Sequence, residues 1–166
     1  MKWNYRTLYY AIVSLTLMMF AVVLGRLTIN SLVPGNGLKY ATDFTVPEHF
    51  IQGPFPTGRV ELIRDTYRIL YEPVYFNVYS PQHFRTAVVT LQYEKPANLD
   101  VRFGVKTVGN WSYDLQSLTD NHEQVLTFDL TNAEFNKNKL QFIISVPGLT
   151  LEDTLIIRKA MFELIK

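Results

Sequence analysis

From Thr7 to Gly25 the chain runs for nineteen residues without a charged side chain. The stretch is built on Leu8, Ile12, Val13, Leu15, Leu17, Met18, Met19, Phe20, Val22, Val23 and Leu24. As a helix it would extend roughly 28 Å at 1.5 Å per residue, close to the ~30 Å hydrocarbon thickness of a bilayer. Ser14 and Thr16 do not break it, because their hydroxyls can bond back to helix carbonyls. Trp3, Tyr5, Tyr9 and Tyr10 crowd its N-terminal end, where amphipathic rings favour the membrane–water interface. The reading is a transmembrane signal-anchor over residues 7–29. A cleaved signal peptide is the competing one, but the apolar run exceeds the usual signal core and no A-x-A pattern follows it.

Lys2 and Arg6 precede this segment and Arg26 follows it. That bias puts residues 1–6 in the cytoplasm. Everything C-terminal would then be extracytoplasmic, and the protein single-pass. Residues 30–57 contain Pro34, Gly35, Gly37, Pro47, Gly53, Pro54 and Pro56 and read as a stalk or linker.

From Gly58 to Lys166 the apolar period changes to two. Leu99, Val101, Phe103 and Val105 alternate with Asp100, Arg102 and Lys106, the pattern of a half-buried strand. Thr86–Glu94, Lys139–Val146 and Pro73–Tyr79 repeat it. Further strands are expected at Arg59–Arg64, Tyr67–Tyr71, Trp111–Leu115, Gln124–Leu130 and Thr154–Ile165; the period of the last also admits a helix, but Ala160, Phe162 and Leu164 alternate and favour a strand with an irregularity near Arg158-Lys159. Thr131-Asn132-Ala133-Glu134 has the form of a capping box and predicts one helical turn. Turn signals separate the strands at Ser80-Pro81, Lys95-Pro96, Gly109-Asn110, Asp120-Asn121, Asn136 to Asn138 and Pro147-Gly148. Short alternating strands at this spacing predict an all-β, two-sheet antiparallel sandwich of jelly-roll type over residues 58–166. A parallel sheet flanked by helices would carry strands apolar on both faces.

The run Val125-Leu126-Thr127-Phe128-Asp129-Leu130, the strand Leu140 to Ser145, and the closing strand Ile156 to Ile165 after Pro147-Gly148 resemble the galactose-binding-like jelly rolls. That group includes many carbohydrate-binding modules. Residues Glu72 to Leu115 supply the preceding strands, so the likeness covers about the last hundred residues. It implies a jelly-roll β-sandwich. It implies no particular ligand residue, since the group runs from sugar binders to inert spacers.

Composition narrows the chemistry. There is no cysteine, which removes disulfides, Cys-ligated metal and thiol catalysis. Of 16 basic residues, Lys2, Arg6 and Arg26 lie at the N-terminal segment, leaving 13 against 15 acidic residues, a net of −2. No cluster of Lys and Arg marks a nucleic-acid face. His49, His83 and His122 lie more than thirty residues apart, without metal-ligand spacing. No G-x-S-x-G elbow, H-E-x-x-H or phosphate loop occurs, and no cofactor is expected. The chain is therefore read as non-enzymatic.

Two aromatic sets remain as ligand-binding candidates. Trp111 and Tyr113 lie two apart and would share one strand face. Exposed, they form a sugar-stacking platform; buried, they are core, the commoner fate of large aromatics. Tyr75 and Tyr79 would share a face of a second strand. Asp114, Asp120 and Asp129 surround an expected loop and are calcium candidates, although their spacing matches no EF-hand. Asn110-Trp111-Ser112 is a glycosylation sequon. The expected role is a membrane-tethered binding or structural module whose partner is an envelope protein or a glycan. A lipid carrier, with a groove lined by Phe103, Phe128 and Phe142, and a glycan-active enzyme are the alternatives.

Overall fold

The computed structural model describes residues 5–32, 37–43, 49–64 and 66–166. It divides into two compact units, Met1–Asn36 and Gly37–Lys166. The first contains helix α1, Tyr5–Leu32. Its described side chains, Tyr9, Tyr10 and 12–25, are exposed and, apart from Ser14 and Thr16, carry no aliphatic hydroxyl or charge. Thr16 Oγ1 donates 2.9 Å back to the Ile12 carbonyl, which keeps its hydroxyl satisfied within the helix. Among the described residues no helix is long and apolar enough to cross a membrane. The described side chains stop short of both ends of the expected span 7–29.

The second unit is a sandwich of two antiparallel sheets. Its strands are β1 (Gly37–Thr42), β2 (Ile51–Phe55), β3 (Val60–Ile63), β4 (Thr66–Ile69), β5 (Val74–Tyr79) and β6 (Thr86–Glu94). They continue with β7 (Arg102–Lys106), β8 (Tyr113–Ser117), β9 (Glu123–Asp129), β10 (Phe135–Asn136), β11 (Lys139–Ser145) and β12 (Leu155–Ile165). One sheet has the order β3-β4-β12-β6-β9, with β1 also on β12. The other has the order β2-β5-β11-β7-β8, with β10 on β11. From β5 onward the chain passes repeatedly between the sheets, the winding expected of a jelly roll.

Alternation builds the core. Val74, Phe76 and Val78 of β5 face inward, as do Ala87, Val89, Leu91 and Tyr93 of β6 and Leu140, Phe142 and Ile144 of β11. Phe103 and Phe142 stack at 5.7 Å between ring centroids, and Phe162 lies 4.9 Å from Phe142. Phe103, Phe128 and Phe142 are fully buried. The groove that a lipid carrier would need between the sheets is therefore filled by their own rings. Tyr93 is also buried, and its hydroxyl is satisfied by the Thr119 carbonyl and the Gln124 amide oxygen, each at 3.0 Å.

β12 carries the expected irregularity. Its register against β6 shifts between Ile157 and Lys159. On its other edge β4 pairs with Leu155–Ile157 and β1 with Ala160–Ile165, so one long strand serves two partners on either side of the shift.

Three expectations are corrected. The stretch 30–57 is not all stalk: β1 and β2 lie within it, and the second unit begins at Gly37. Leu38 and Tyr40 pack against the core, and β2 tolerates Pro54 because it is an edge strand. Residues 33–36 and 44–48 of that stretch lie outside the described residues. The strand expected at Trp111–Leu115 starts two residues later, at Tyr113. Thr131–Glu134 forms a turn and not a helical one, because the Thr131 hydroxyl and amide both donate to Asp129 Oδ1.

Candidate functional site

The outward face of the β2-β5-β11-β7-β8 sheet carries rows of side chains across the strands. One row is Phe55, Tyr75, Ile143, Gly104 and Leu115, read from the paired registers. The next begins with Gln52, Asn77 and Gln141 and ends with Lys106 opposite Tyr113. Ile143 points outward yet is only 5% exposed. Gly104 explains part of this: a Cβ there would stand 2.7 Å from Leu115 Cδ2, so Leu115 leans over the strand that lacks a side chain.

Tyr75 and Tyr113 come from strands three positions apart, about 14 Å at typical strand spacing. Their side chains nonetheless reach toward each other over the two strands between, closely enough for Tyr75 to act on the Tyr113 hydroxyl. Burial, followed by the neighbouring Tyr75 and then Glu134, pushes the Tyr113 hydroxyl above its ordinary value. It is a neutral donor and acceptor at physiological pH.

Beside this pair opens a cleft of about 490 Å³, lined by Tyr75, Lys106, Trp111, Tyr113, Glu134 and Gln141 together with Gly109 and Asn110. Trp111 stands in the β7–β8 connection, which Thr107 N–H closes on the Ser112 carbonyl at 2.9 Å. It is 75% exposed and has φ of 56°. A left-handed backbone is unfavourable for a bulky side chain, and exposure of an indole gives up the burial that large aromatics usually gain. Neither cost is repaid by core packing at this position.

A second cleft of about 250 Å³ adjoins the first, sharing Lys106, Glu134 and Gln141 and adding Asn77, Asn136, Lys137 and Lys139. Lys106 Nζ lies 3.0 Å from Glu134 Oε1, both half-buried, at the junction of the two clefts. Among the described residues no side-chain hydrogen bond engages the amides of Asn77, Asn136 or Gln141. Several donors and acceptors are thus held on rigid strands and left available.

Of the candidates from the sequence, Trp111, Tyr113 and Tyr75 are brought together. Trp111 reaches the cleft from the turn and not from a shared strand face. Tyr79 shares the outward face of β5 with Tyr75 but belongs elsewhere. Its ring lies 6.0 Å from Phe50, which stacks on Tyr40 at 5.1 Å. Burial and the nearby Tyr79 raise the Tyr40 hydroxyl above its ordinary value.

Asp114, Asp120 and Asp129 are not brought together. Asp114 lies on β8 opposite Val105. Asp120 pairs with Lys95 at 2.7 Å. Asp129 accepts both Thr131 bonds, which hold its carboxyl below the usual carboxylate range. Among the described residues no group of three His, Asp or Glu could hold a metal ion. His83 lies against the Phe135 ring at 4.4 Å.

Lys106, Glu134, Lys137, Lys139 and Gln141 were not singled out from sequence. Alternation places Lys106, Lys139 and Gln141 on the outward face, but their convergence depends on strand order.

No family model matches the chain. No curated protein matches it in sequence. Solved structures with a similar arrangement include a family two carbohydrate esterase from Cellvibrio japonicus, at 11% identity and TM-score 0.46 over 77% of this chain and 34% of that one. This chain thus spans about a third of the esterase. Another is a low affinity xylan binding module from Roseburia intestinalis, at 14% identity and TM-score 0.45 over 78% of this chain and 97% of that one. A third is a module in complex with beta-1,4-galactotriose, at 11% identity and TM-score 0.35 over 74% of this chain and 86% of that one.

Proposed function

We propose that this protein is a membrane-tethered, non-enzymatic sugar-binding module, with the Trp111–Tyr113–Tyr75 cleft as its binding site. The observation that carries the reading is Trp111, three-quarters exposed in a left-handed backbone at the rim of a polar cleft. A pyranose has an apolar C–H face that lies flat on an indole, and equatorial hydroxyls that planar amides and carboxylates engage in pairs. Trp111 and Tyr113 supply the first chemistry. Asn110, Gln141 and the Lys106–Glu134 pair supply the second.

The tether is residues 7–29. The uncharged run 7–25 supports it, since nineteen residues without a charge match the thickness of a bilayer's hydrocarbon core. Lys2 and Arg6 keep the N-terminus cytoplasmic, and the sandwich lies outside. The tether serves binding by confining the module to ligands near the membrane surface.

The test is retention of the full chain, in detergent micelles, on a panel of immobilised polysaccharides. Retention on one or more of them, reduced at least tenfold by Trp111→Ala with an unchanged melting temperature, supports the site. Retention on none, with an envelope protein crosslinked through Trp111 instead, overturns the sugar reading. Alkaline carbonate extraction tests the tether: the chain should stay with the membrane pellet, and release into the supernatant would contradict it.

A further inference from the structure

We infer that the cleft selects an acidic sugar, with Lys137 and Lys139 receiving its carboxylate or phosphate while Trp111 and Tyr113 hold the ring. This rests on the cleft being a sugar site and goes beyond it by naming the ligand class.

The first ground is charge. The two adjoining clefts are lined by three lysines, Lys106, Lys137 and Lys139, and a single acid, Glu134. Glu134 is committed to Lys106 at 3.0 Å. Lys139 Nζ donates 2.8 Å to the Gln52 amide oxygen, a neutral partner. Lys137 has no acidic partner among the described residues. Two positive charges are therefore uncompensated at one end of the site, on a chain whose residues 27–166 carry a net of −2. The amides of Asn77, Asn136 and Gln141 converge on the same space. A negatively charged group with several acceptor oxygens fits that donor set, because charge-assisted hydrogen bonds are about twice as strong as neutral ones.

The second ground is backbone. β10 and β11 are joined by a two-residue turn between the paired residues Asn136 and Lys139. Its central residues, Lys137 and Asn138, have φ of 49° and 61°. Such turns prefer Asn or Gly at both central positions. Asn138 conforms; Lys137 does not. The two-residue turn imposes that conformation on whichever residue stands there, and Lys137, which lines the cleft, holds it in place of the favoured Asn or Gly. Trp111 shows the same feature at the opposite rim. The antiparallel order of β7 and β11 brings both turns to one end of the sheet.

The geometry separates the two roles. The indole reads the ring whatever its substituents. The lysines read the acid. Lys106 is held away from the acid by Glu134.

The test uses the full chain in detergent micelles against three immobilised polymers: polygalacturonate, its carboxyl-reduced neutral form, and a phosphorylated mannan. The wild type should bind at least one acidic polymer roughly tenfold more tightly than the reduced one at low salt, and the difference should shrink as salt rises from about 0.05 to about 0.5 M. The Lys137→Gln/Lys139→Gln double variant should lose the difference while keeping the residual binding of the neutral polymer. Trp111→Ala should weaken both. The two acidic arms separate a carboxylate from a phosphate source. Equal binding of acidic and reduced polymers would overturn the charge inference and leave the sugar site standing. Acid binding that survives Trp111→Ala would also overturn it, because it would then be unspecific polyanion attraction. Binding to none of the three, when the wider panel also gives none, would remove both readings.

Discussion

The Lys106 ammonium sits 3.0 Å from the Glu134 carboxylate at the point where the two clefts meet. The Glu134 amide also donates 2.9 Å to the Lys106 carbonyl, so backbone and side chain fix the same pair. Glu134→Gln leaves the ammonium half-buried without its counter-charge. The expected cost is about 0.5–1 kcal/mol, in the range of partly exposed pairs, measured as a lower urea midpoint. The same change frees a third lysine in the cleft and should strengthen binding of acidic polymers. A variant that is equally stable and weaker for acids would contradict the assigned role.

Gly104 has no room for a side chain. A Cβ there would stand 2.1 Å from the Asp114 carbonyl oxygen and 2.7 Å from Leu115 Cδ2. The carbonyl belongs to the paired strand β8 and cannot move without breaking the ladder. Gly104→Ala should cost about 1–3 kcal/mol through overpacking and displace β8. Tyr113 lies on that strand, so the variant should lose sugar binding beyond what its melting temperature predicts at the assay temperature. Calorimetry and polysaccharide binding on one preparation check both.

Lys137 occupies a turn position that asparagine adopts more readily. Lys137→Asn should raise stability by about 0.5 kcal/mol, since a left-handed backbone is less costly for asparagine. It should at the same time reduce the preference for acidic polymers. Stability and binding moving in opposite directions would identify a residue kept for function. Both falling together would point to a structural lysine.

Tyr113 and Tyr40 have hydroxyls raised above their ordinary value, in each case chiefly by burial. For such groups the stabilisation is fully present below the unfolded value, about 10, and is lost as pH rises through the higher folded value. Stability should therefore be flat from about pH 7 to 9 and fall on the alkaline side. Tyr113→Phe removes one contributor and should flatten that limb, read as urea midpoints at about pH 8 and about pH 10.5. An alkaline limb unchanged in Tyr113→Phe and in Tyr40→Phe would contradict the assignment.

Much of the fold could be read where one strand face is buried. The strand at Thr86–Glu94 was expected with those bounds, because Ala87, Val89, Leu91 and Tyr93 alternate without a gap. The irregularity near Arg158 was visible as a break in that same period. β1 and β2 were hidden by the density of proline and glycine around them. Proline argues against a central strand, but these two lie at sheet edges, where its missing donor costs little.

The site was only partly legible. Trp111 and Tyr113 were marked by residue type and spacing, yet Trp111 was expected on a strand. The Gly109-Asn110 turn extends to Ser112, and no local residue signals a left-handed tryptophan. Tyr75 joins them across two intervening strands, a relation set by strand order and not by sequence distance. Lys137 lay inside an expected turn, but a turn signal does not say which surface the turn overlooks.

The central claim is most directly tested through Trp111 itself. The chain has two tryptophans, Trp3 and Trp111, so Trp3→Phe leaves the cleft indole as the sole tryptophan, excited selectively at the red edge where tyrosine does not absorb. The full-length Trp3→Phe chain in micelles is titrated with the polysaccharide it retains best. The account predicts a saturable blue shift or quench as the sugar covers the exposed indole, lost when Tyr113 and Gln141 are both replaced by alanine. Saturable binding with no change in Trp111 emission would place the ligand elsewhere and contradict the account.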